Sequence, residues 1–223
     1  GLKFAHALEP FDAITTNETL WFRDGHPFAI LSDIVLPHLT ARLSASPLSK
    51  ARIWSAASST GQEAYSIAMT IREFCAKTPA VRPSQFEIVG TDISPTAIAA
   101  ARAGRYDATA LGRGLSASHR ARYFEADGDG WRVREELRSM VRFERFNLQH
   151  DLYTLGRFDC VFMRYVAIYF ADETKRRILR NVADITNRLG FLIVGAVEPL
   201  NELSQSHSVH AYAGGSYYLK RES

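Results

Sequence analysis

"RIWSAASSTGQEAYSIAM", residues 52–69, decides how the chain folds. Arg52-Ile53-Trp54 opens a short apolar run, Ser55–Thr60 are all small, and Gly61, Gln62 and Glu63 lead into helical spacing. A chain that passes from strand to helix through residues with almost no side chain lets a ligand lie against its backbone. Gly61 there is free to take φ values that other residues avoid. The stretch is not G-x-G-x-x-G and contains no lysine, so it builds neither a pyrophosphate turn nor a phosphate-binding loop. It offers an acid instead, Glu63.

Working outward, apolar runs alternate with helical patterns. Strands are expected at Arg52–Ala57, Phe86–Ile93, Val141–Leu148, Phe158–Met163 and Phe191–Val197. Helices are expected at Gly61–Ala76, from Pro95 to Ala103 with Ser94 as N-cap, and at Asp172–Leu189, stopped by Gly190. Val209–Ala213 and Tyr217–Lys220 flank Gly214-Gly215, which predicts a β-hairpin. Alternation of this kind implies an α/β, Rossmann-like parallel sheet with helices on both faces and a C-terminal antiparallel hairpin. Residues 121–146 break the alternation and read as a small β-rich insertion. Residues 1–45 read as a linker and helical cover, and 46–223 as the main domain.

The bulk properties are those of a globular protein, with 46% hydrophobic and 23% charged residues. No stretch has the length of an apolar membrane span, and no secretory pattern opens the sequence, so a cytoplasmic location is expected. Cys75 and Cys160 are far apart in apolar surroundings and read as reduced core thiols rather than a disulfide or metal site. The net charge is +3, but ten arginines lie between Arg102 and Arg145. That density suits either a solvated face or an acidic partner, and no nucleic-acid motif accompanies it.

In open α/β sheets ligands bind beyond the carboxyl ends of the strands. Glu63 follows the first strand and Asp92 ends the second. A carboxylate at the second position accepts hydrogen bonds from ribose hydroxyls. A site with little provision for phosphate, one acid for ribose and another for a cationic group fits S-adenosylmethionine. Alone, Glu63 reads as a first-turn acid on a helix dipole and Asp92 as a turn residue; the pair carries the inference.

The sequence also resembles a known family. "TTNETLWFRD" (15–24), "WSAASSTGQEAYSIAM" (54–69), "TDIS" (91–94), "ARAGRY" (101–106), "RYF" (122–124), "FNL" (146–148), "FDCVFMRYVAIYF" (158–170) and "ILR" (178–180) occur in the order seen in chemotaxis-receptor methyltransferases, the CheR family. The resemblance runs from about Ile14 to the C-terminus. It implies methyl transfer from S-adenosylmethionine to glutamate carboxylates of a receptor's cytoplasmic helices. It also implies roles: Asn17, Thr19 and Arg23 at the cofactor and reaction centre, Glu63 for the methionyl amine, Asp92 for the ribose, and Asn147 and Leu148 for the adenine. Arg164 and Tyr165 would contribute from the end of the fourth strand, and Tyr169 would line the methyl-transfer pocket with Arg23. No metal is implied. The 121–146 insertion resembles the family's β-subdomain, which in some members docks a receptor's C-terminal tail. The family's basic N-terminal helical domain has no counterpart in these residues.

The sequence departs from the family pattern at Gln62 and Ala64, where glutamate and proline are usual, at Tyr165 for asparagine, and at Ala196 for histidine. A tyrosine at 165 either stacks on the cofactor or fills part of the pocket. These departures motivate a second reading, a signalling module that binds S-adenosylmethionine or S-adenosylhomocysteine without turnover. A third is a methyltransferase of the same architecture acting on another substrate. Taken singly, the site residues have duller roles as well: Asn17 and Thr19 as helix caps, Arg164 in a surface ion pair, Tyr169 in core packing and Asn147 as a turn residue.

Overall fold

The computed structural model describes residues 19–195, Leu203 and 205–222. Helix α1 runs from His26–Ile30 through a π-helical turn, Leu31–Val35, into Leu36–Ser44. Then follow β1 (Ala51–Ala56), α2 (Gln62–Lys77), β2 (Phe86–Asp92), α3 (Pro95–Ala103), β3 (Arg105–Tyr106), α4 (Ala108–Gly112) and α5 (Ala117–Tyr123). The chain continues with β4 (Phe124–Asp127), β5 (Gly130–Val133), α6 (Glu135–Arg138), β6 (Val141–Arg145), β7 (Phe158–Met163), α7 (Asp172–Ile185), β8 (Thr186–Val194), β9 (His207–Tyr212) and β10 (Gly215–Lys220).

Seven strands form one sheet in the order β6-β2-β1-β7-β8-β10-β9. The first five are parallel, and β10 joins β8 antiparallel, followed by β9. The α/β expectation, with its closing hairpin, therefore holds. Period-2 side-chain alternation explains why β1, β7 and β8 read as continuous apolar runs. Ile53, Cys160, Phe162, Phe191 and Ile193 enter the core shared with α1 and α2, whereas Trp54, Val161, Met163, Leu192 and Val194 enter the core shared with α7.

Several boundaries differ from the sequence expectation, each for a local reason. Helix α7 ends at Ile185, not Leu189, and β8 begins at Thr186. The Thr186 hydroxyl donates to the Val182 carbonyl at 2.7 Å, the Asn187 amide donates to Asp159 at 3.0 Å, and Leu189 turns to φ +56. The register against β7 jumps there, and Gly190 is required because a Cβ would lie 2.8 Å from the Asn187 carbonyl. The hairpin turns at Ala213-Gly214, both at positive φ, rather than at Gly214-Gly215, and Gly215 already pairs with Tyr212. This is the two-residue geometry that matches strand twist. The β-rich insertion is a three-stranded antiparallel sheet, β3-β5-β4, which recruits Arg105–Tyr106 from before the expected segment. Val141–Arg145 lies outside it and pairs with β2 in the main sheet.

Candidate functional site

Going outward from β1, the chain runs to β2 and β6 on one side and to β7 and β8 on the other. The crevice at such a reversal, beyond the carboxyl ends, is where an open sheet can admit a ligand. A cavity of about 450 Å³ lies there. Its walls come from the turn after β1 (Ala57–Ser59), the end of β2 (Asp92), the segment after β6 (Phe146–Gln149), the segment after β7 (Arg164–Phe170), Glu63 of α2, and Thr19, Leu20 and Arg23.

The turn after β1 is tightly wound. Ala57 and Ser59 sit at φ +56 and +49, and Gly61 at φ +98 precedes α2. A side chain at 61 would be crowded as well as strained, since its Cβ would lie 3.0 Å from Ala101 Cβ and 3.1 Å from the Phe143 ring. Asp92 anchors this turn. Its Oδ2 accepts from the Ser59 amide and its Oδ1 from the Ser94 amide, each at 2.9 Å. Ser58 is buried beside it, and its Oγ has no hydrogen-bond partner among the described residues.

Glu63, in the first turn of α2, lines the same cavity as Asp92. The Ser55 hydroxyl donates to its Oε1 at 2.8 Å, and Arg164 Nη1 donates to its Oε2 at 2.7 Å. The Arg164 side chain is 2% exposed. Such a buried guanidinium needs paired acids to offset its desolvation, and it has two: Nη2 also donates to Asp24 Oδ2 at 2.7 Å and to the Arg23 carbonyl at 2.8 Å. Burial lowers the Arg164 pKa, but the charges of Glu63 and Asp24 outweigh it and raise the value overall. At Asp24 burial raises the pKa, yet the Tyr165 hydroxyl and the Arg164 charge together hold it below 3.8.

The mouth is formed by Arg23, Ile168 and Tyr169, with Ile168 56% and Tyr169 65% exposed. The Arg23 guanidinium lies 3.8 Å above the Tyr165 ring centroid, and the Tyr165 hydroxyl donates to Asp24 Oδ2. Thr19, Arg23, Glu63, Asp92, Asn147, Leu148, Arg164, Tyr165 and Tyr169 therefore all line one cavity. Asn17 and Ala196 lie outside the described residues. Arg164 is a buried ion pair rather than a surface one, and Tyr169 is exposed rather than packed in the core. Asn147 does make the turn suggested for it, its Oδ1 accepting from the Gln149 amide at 2.9 Å.

Sequence reasoning passed over Asp24, whose place depends on Arg164, 140 residues away. The available signal was the Arg23-Asp24-Gly25 turn just before α1, where Asp24 takes φ +69. It also passed over Ser55 and the amide of Ser59. The arginine-rich stretch is largely engaged within the chain. Arg105 and Arg132 bind Asp127, Arg142 binds Glu87 and Glu144, and Arg102 and Arg145 donate to backbone carbonyls. Cys75 and Cys160 are buried free thiols, with Cys75 pushed up to about 11 by burial. Among the described residues no helix is long and apolar enough to cross a membrane.

Comparison with known proteins agrees with this geometry. A family model described as "CheR methyltransferase, SAM binding domain" matches residues 17–213. The chain is 45% identical over 208 residues to chemotaxis protein methyltransferase 1 of Pseudomonas aeruginosa, covering 93% of this chain and 75% of that one. It is 45% identical over 211 residues to the chemotaxis protein methyltransferase of Vibrio parahaemolyticus, covering 94% and 74%. Against the Escherichia coli chemotaxis protein methyltransferase it is 36% identical over 200 residues, covering 87% and 65%.

Proposed function

The chain belongs to the CheR methyltransferase family, and from that premise we propose that it methylates glutamate side chains of a chemoreceptor's cytoplasmic helices. It is an S-adenosylmethionine-dependent methyltransferase of the chemotaxis type. The observation that carries the finer reading is that Glu63 and Asp92, on separate elements, line one cavity whose mouth holds Arg23 and Tyr169.

The residues fit the cofactor. Among the described residues three acids, Asp24, Glu63 and Asp92, stand against two cations, Arg23 and Arg164, leaving one negative charge in and around the cavity. A ligand with an ammonium, a carboxylate and a sulfonium carries one positive charge, and a nucleotide carries several negative ones. In this reading Glu63 holds the amine end, and Thr19 in the same cavity wall, with Asn17 two residues before it in sequence, reaches the cofactor and the reaction centre. Ser55 and Arg164 fix the Glu63 carboxylate by bonds to both its oxygens. Asp92 takes the ribose hydroxyls and Ser58 Oγ supplies a further polar contact. Leu148 and Asn147 flank the base.

When bound, S-adenosylmethionine supplies a methyl group activated by its sulfonium. The protein's task is to orient the acceptor and exclude water. A glutamate acceptor is already ionised at neutral pH, its unperturbed pKa being about 4.3, so no general base is required. Arg23 at the mouth orients the incoming carboxylate with its paired donors, and Tyr169 presents a hydroxyl beside it. Alignment of this kind supplies several kcal/mol, up to roughly 7–11 in favourable cases. The exposed pair Ile168 and Tyr169 suits contact with a partner helix at the rim. The small sheet, whose outer strands β3 and β4 pair only with β5 among the described residues, supports docking of a receptor tail.

The test is mass spectrometry of chemoreceptor-containing membranes after incubation with S-adenosylmethionine and the protein. One methyl ester on a receptor glutamate is expected, with a loss of at least about tenfold in rate for Arg23→Ala. Binding of S-adenosylhomocysteine with no methylated receptor overturns the glutamate reading. Parental rates for Arg23→Ala overturn the role of that residue alone.

A further inference from the structure

Two segments that are distant in sequence meet at the mouth in strained conformations. Phe22, Asp24 and Gly25 take φ +48, +69 and +66, and opposite them Tyr165 takes φ +56. A left-handed φ is unfavourable for a bulky aromatic residue and persists only where neighbouring contacts hold it. For Tyr165 three such contacts are with the 22–25 loop and its ion pair. Its hydroxyl donates to Asp24 Oδ2, its ring lies 3.8 Å below the Arg23 guanidinium, and the Arg164 guanidinium lies 5.5 Å from its centroid.

The division of labour is specific. Arg164 grips the loop through the Arg23 carbonyl and the Asp24 carboxylate, so it fixes backbone. On the outer side the His119 ring stacks on Phe22 at 4.6 Å. The Tyr165 ring lies against the Arg23 side chain itself, which is half-buried, so the ring limits the rotamers that a long side chain at the rim can take. The guanidinium covers one face of the ring.

We propose that Tyr165 is a positioning residue: its ring and hydroxyl clamp Arg23 and Asp24 to the end of β7 and keep the Arg23 guanidinium at the cavity mouth. The role rests on the reading of Arg23 as the group that orients the acceptor carboxylate.

The experiment compares Tyr165→Phe, which keeps the ring, and Tyr165→Leu, which removes it, with Arg23→Ala and the double variant Arg23→Ala/Tyr165→Leu. Calorimetric titration with S-adenosylhomocysteine is expected to give affinities within about threefold of the parent for both Tyr165 variants. Trypsin cleavage after Arg23, followed by mass spectrometry, is expected to accelerate in Tyr165→Leu and less in Tyr165→Phe. Methyl transfer to chemoreceptor-containing membranes is expected to fall about tenfold in kcat/KM for Tyr165→Leu, with the double variant no slower than Arg23→Ala. An affinity loss of about tenfold or more with unchanged cleavage overturns the proposal and makes Tyr165 a cofactor-stacking residue. Additive losses in the double variant overturn it as well. If Arg23→Ala alone transfers methyl at the parental rate, the reading of Arg23 fails. The cleavage and titration arms still decide whether Tyr165 is the clamp.

Discussion

At the scale of single residues, the site depends on Glu63 doing two things at once. Its carboxylate neutralises Arg164, which is 2% exposed on its side chain, and leaves lone pairs toward the cavity. Glu63→Gln keeps the size and one acceptor oxygen but removes the charge. The amide still accepts from Arg164, so the fold survives, yet the buried guanidinium is left with Asp24 as its one charged partner among those described here. Breaking such a pair outright costs about 3–5 kcal/mol, and the isosteric amide should cost less, roughly 1–3. The same substitution should weaken S-adenosylhomocysteine binding about ten- to a hundredfold by removing the amine's counter-charge. Urea midpoints and calorimetric titration measure the two effects separately, and parental affinity would remove Glu63 from the cofactor site. Glu63 and Asp92 were legible in the sequence because a general rule places ligand-facing acids at strand ends. Asp24 was not, because the Arg23-Asp24-Gly25 turn that marks it locally says nothing of its partner: its meaning arises only where residue 164 is brought against residue 24. Tyr165 was legible as unusual but not as a clamp, since its partners come from the same distant loop.

At the scale of elements, turns set by backbone geometry carry the fold's detail. Gly61→Ala would hold a Cβ at φ +98, 3.0 Å from Ala101 and 3.2 Å from the Tyr106 hydroxyl, which itself donates to the Thr60 carbonyl. Left-handed strain and crowding together should cost about 2–3 kcal/mol, seen as a Tm lower by several degrees. An unchanged Tm would show that the turn relaxes freely. The hairpin gives a pH-dependent counterpart. His207, 1% exposed at the start of β9, is held down to about 4 by burial and by the nearby cations Lys220 and Arg221. Between pH 6.5 and about 4 the unfolded chain binds a proton there and the folded chain does not, so stability falls as pH drops through that window. His207→Leu should flatten that part of the stability–pH curve, read as urea midpoints at several pH values. A slope equal to the parent's would place the acid sensitivity elsewhere. Strand and helix cores were readable because apolar runs and caps such as Ser94, which accepts from the Ala97 amide at 3.0 Å, are local signals. The end of α7 was misread because the break is made by contacts of Thr186 and Asn187 with Val182 and Asp159, and only Gly190 shows it in sequence.

At the scale of the whole molecule, the cavity is where five segments meet: the Thr19–Arg23 stretch and the chain beyond β1, β2, β6 and β7. Sequence order conveyed the layering of the sheet, since parallel strands covered on both faces must be apolar throughout. The fate of the arginines between 102 and 145 was invisible, because the acceptors of those that pair, among them Glu87 and Asp127, are set by sheet pairing. With much of that charge engaged internally, the field a ligand meets is set by the cavity's own acids together with Arg23 and Arg164. This yields a global prediction. A ligand that spans the five segments binds only the folded state, so at a concentration of 100 Kd S-adenosylhomocysteine should stabilise the protein by about 2.7 kcal/mol. For a domain of this size that is roughly 5–10 °C in Tm. NAD and ATP share the ribose and adenine, but each brings phosphates to a cavity with no lysine among its described lining residues, where Arg164 is already paired with two acids. They should therefore shift Tm by less than about 1 °C at the same concentration. Equal shifts for all three would mean that the adenosine moiety alone drives binding and that Glu63 contributes nothing to selecting the cofactor.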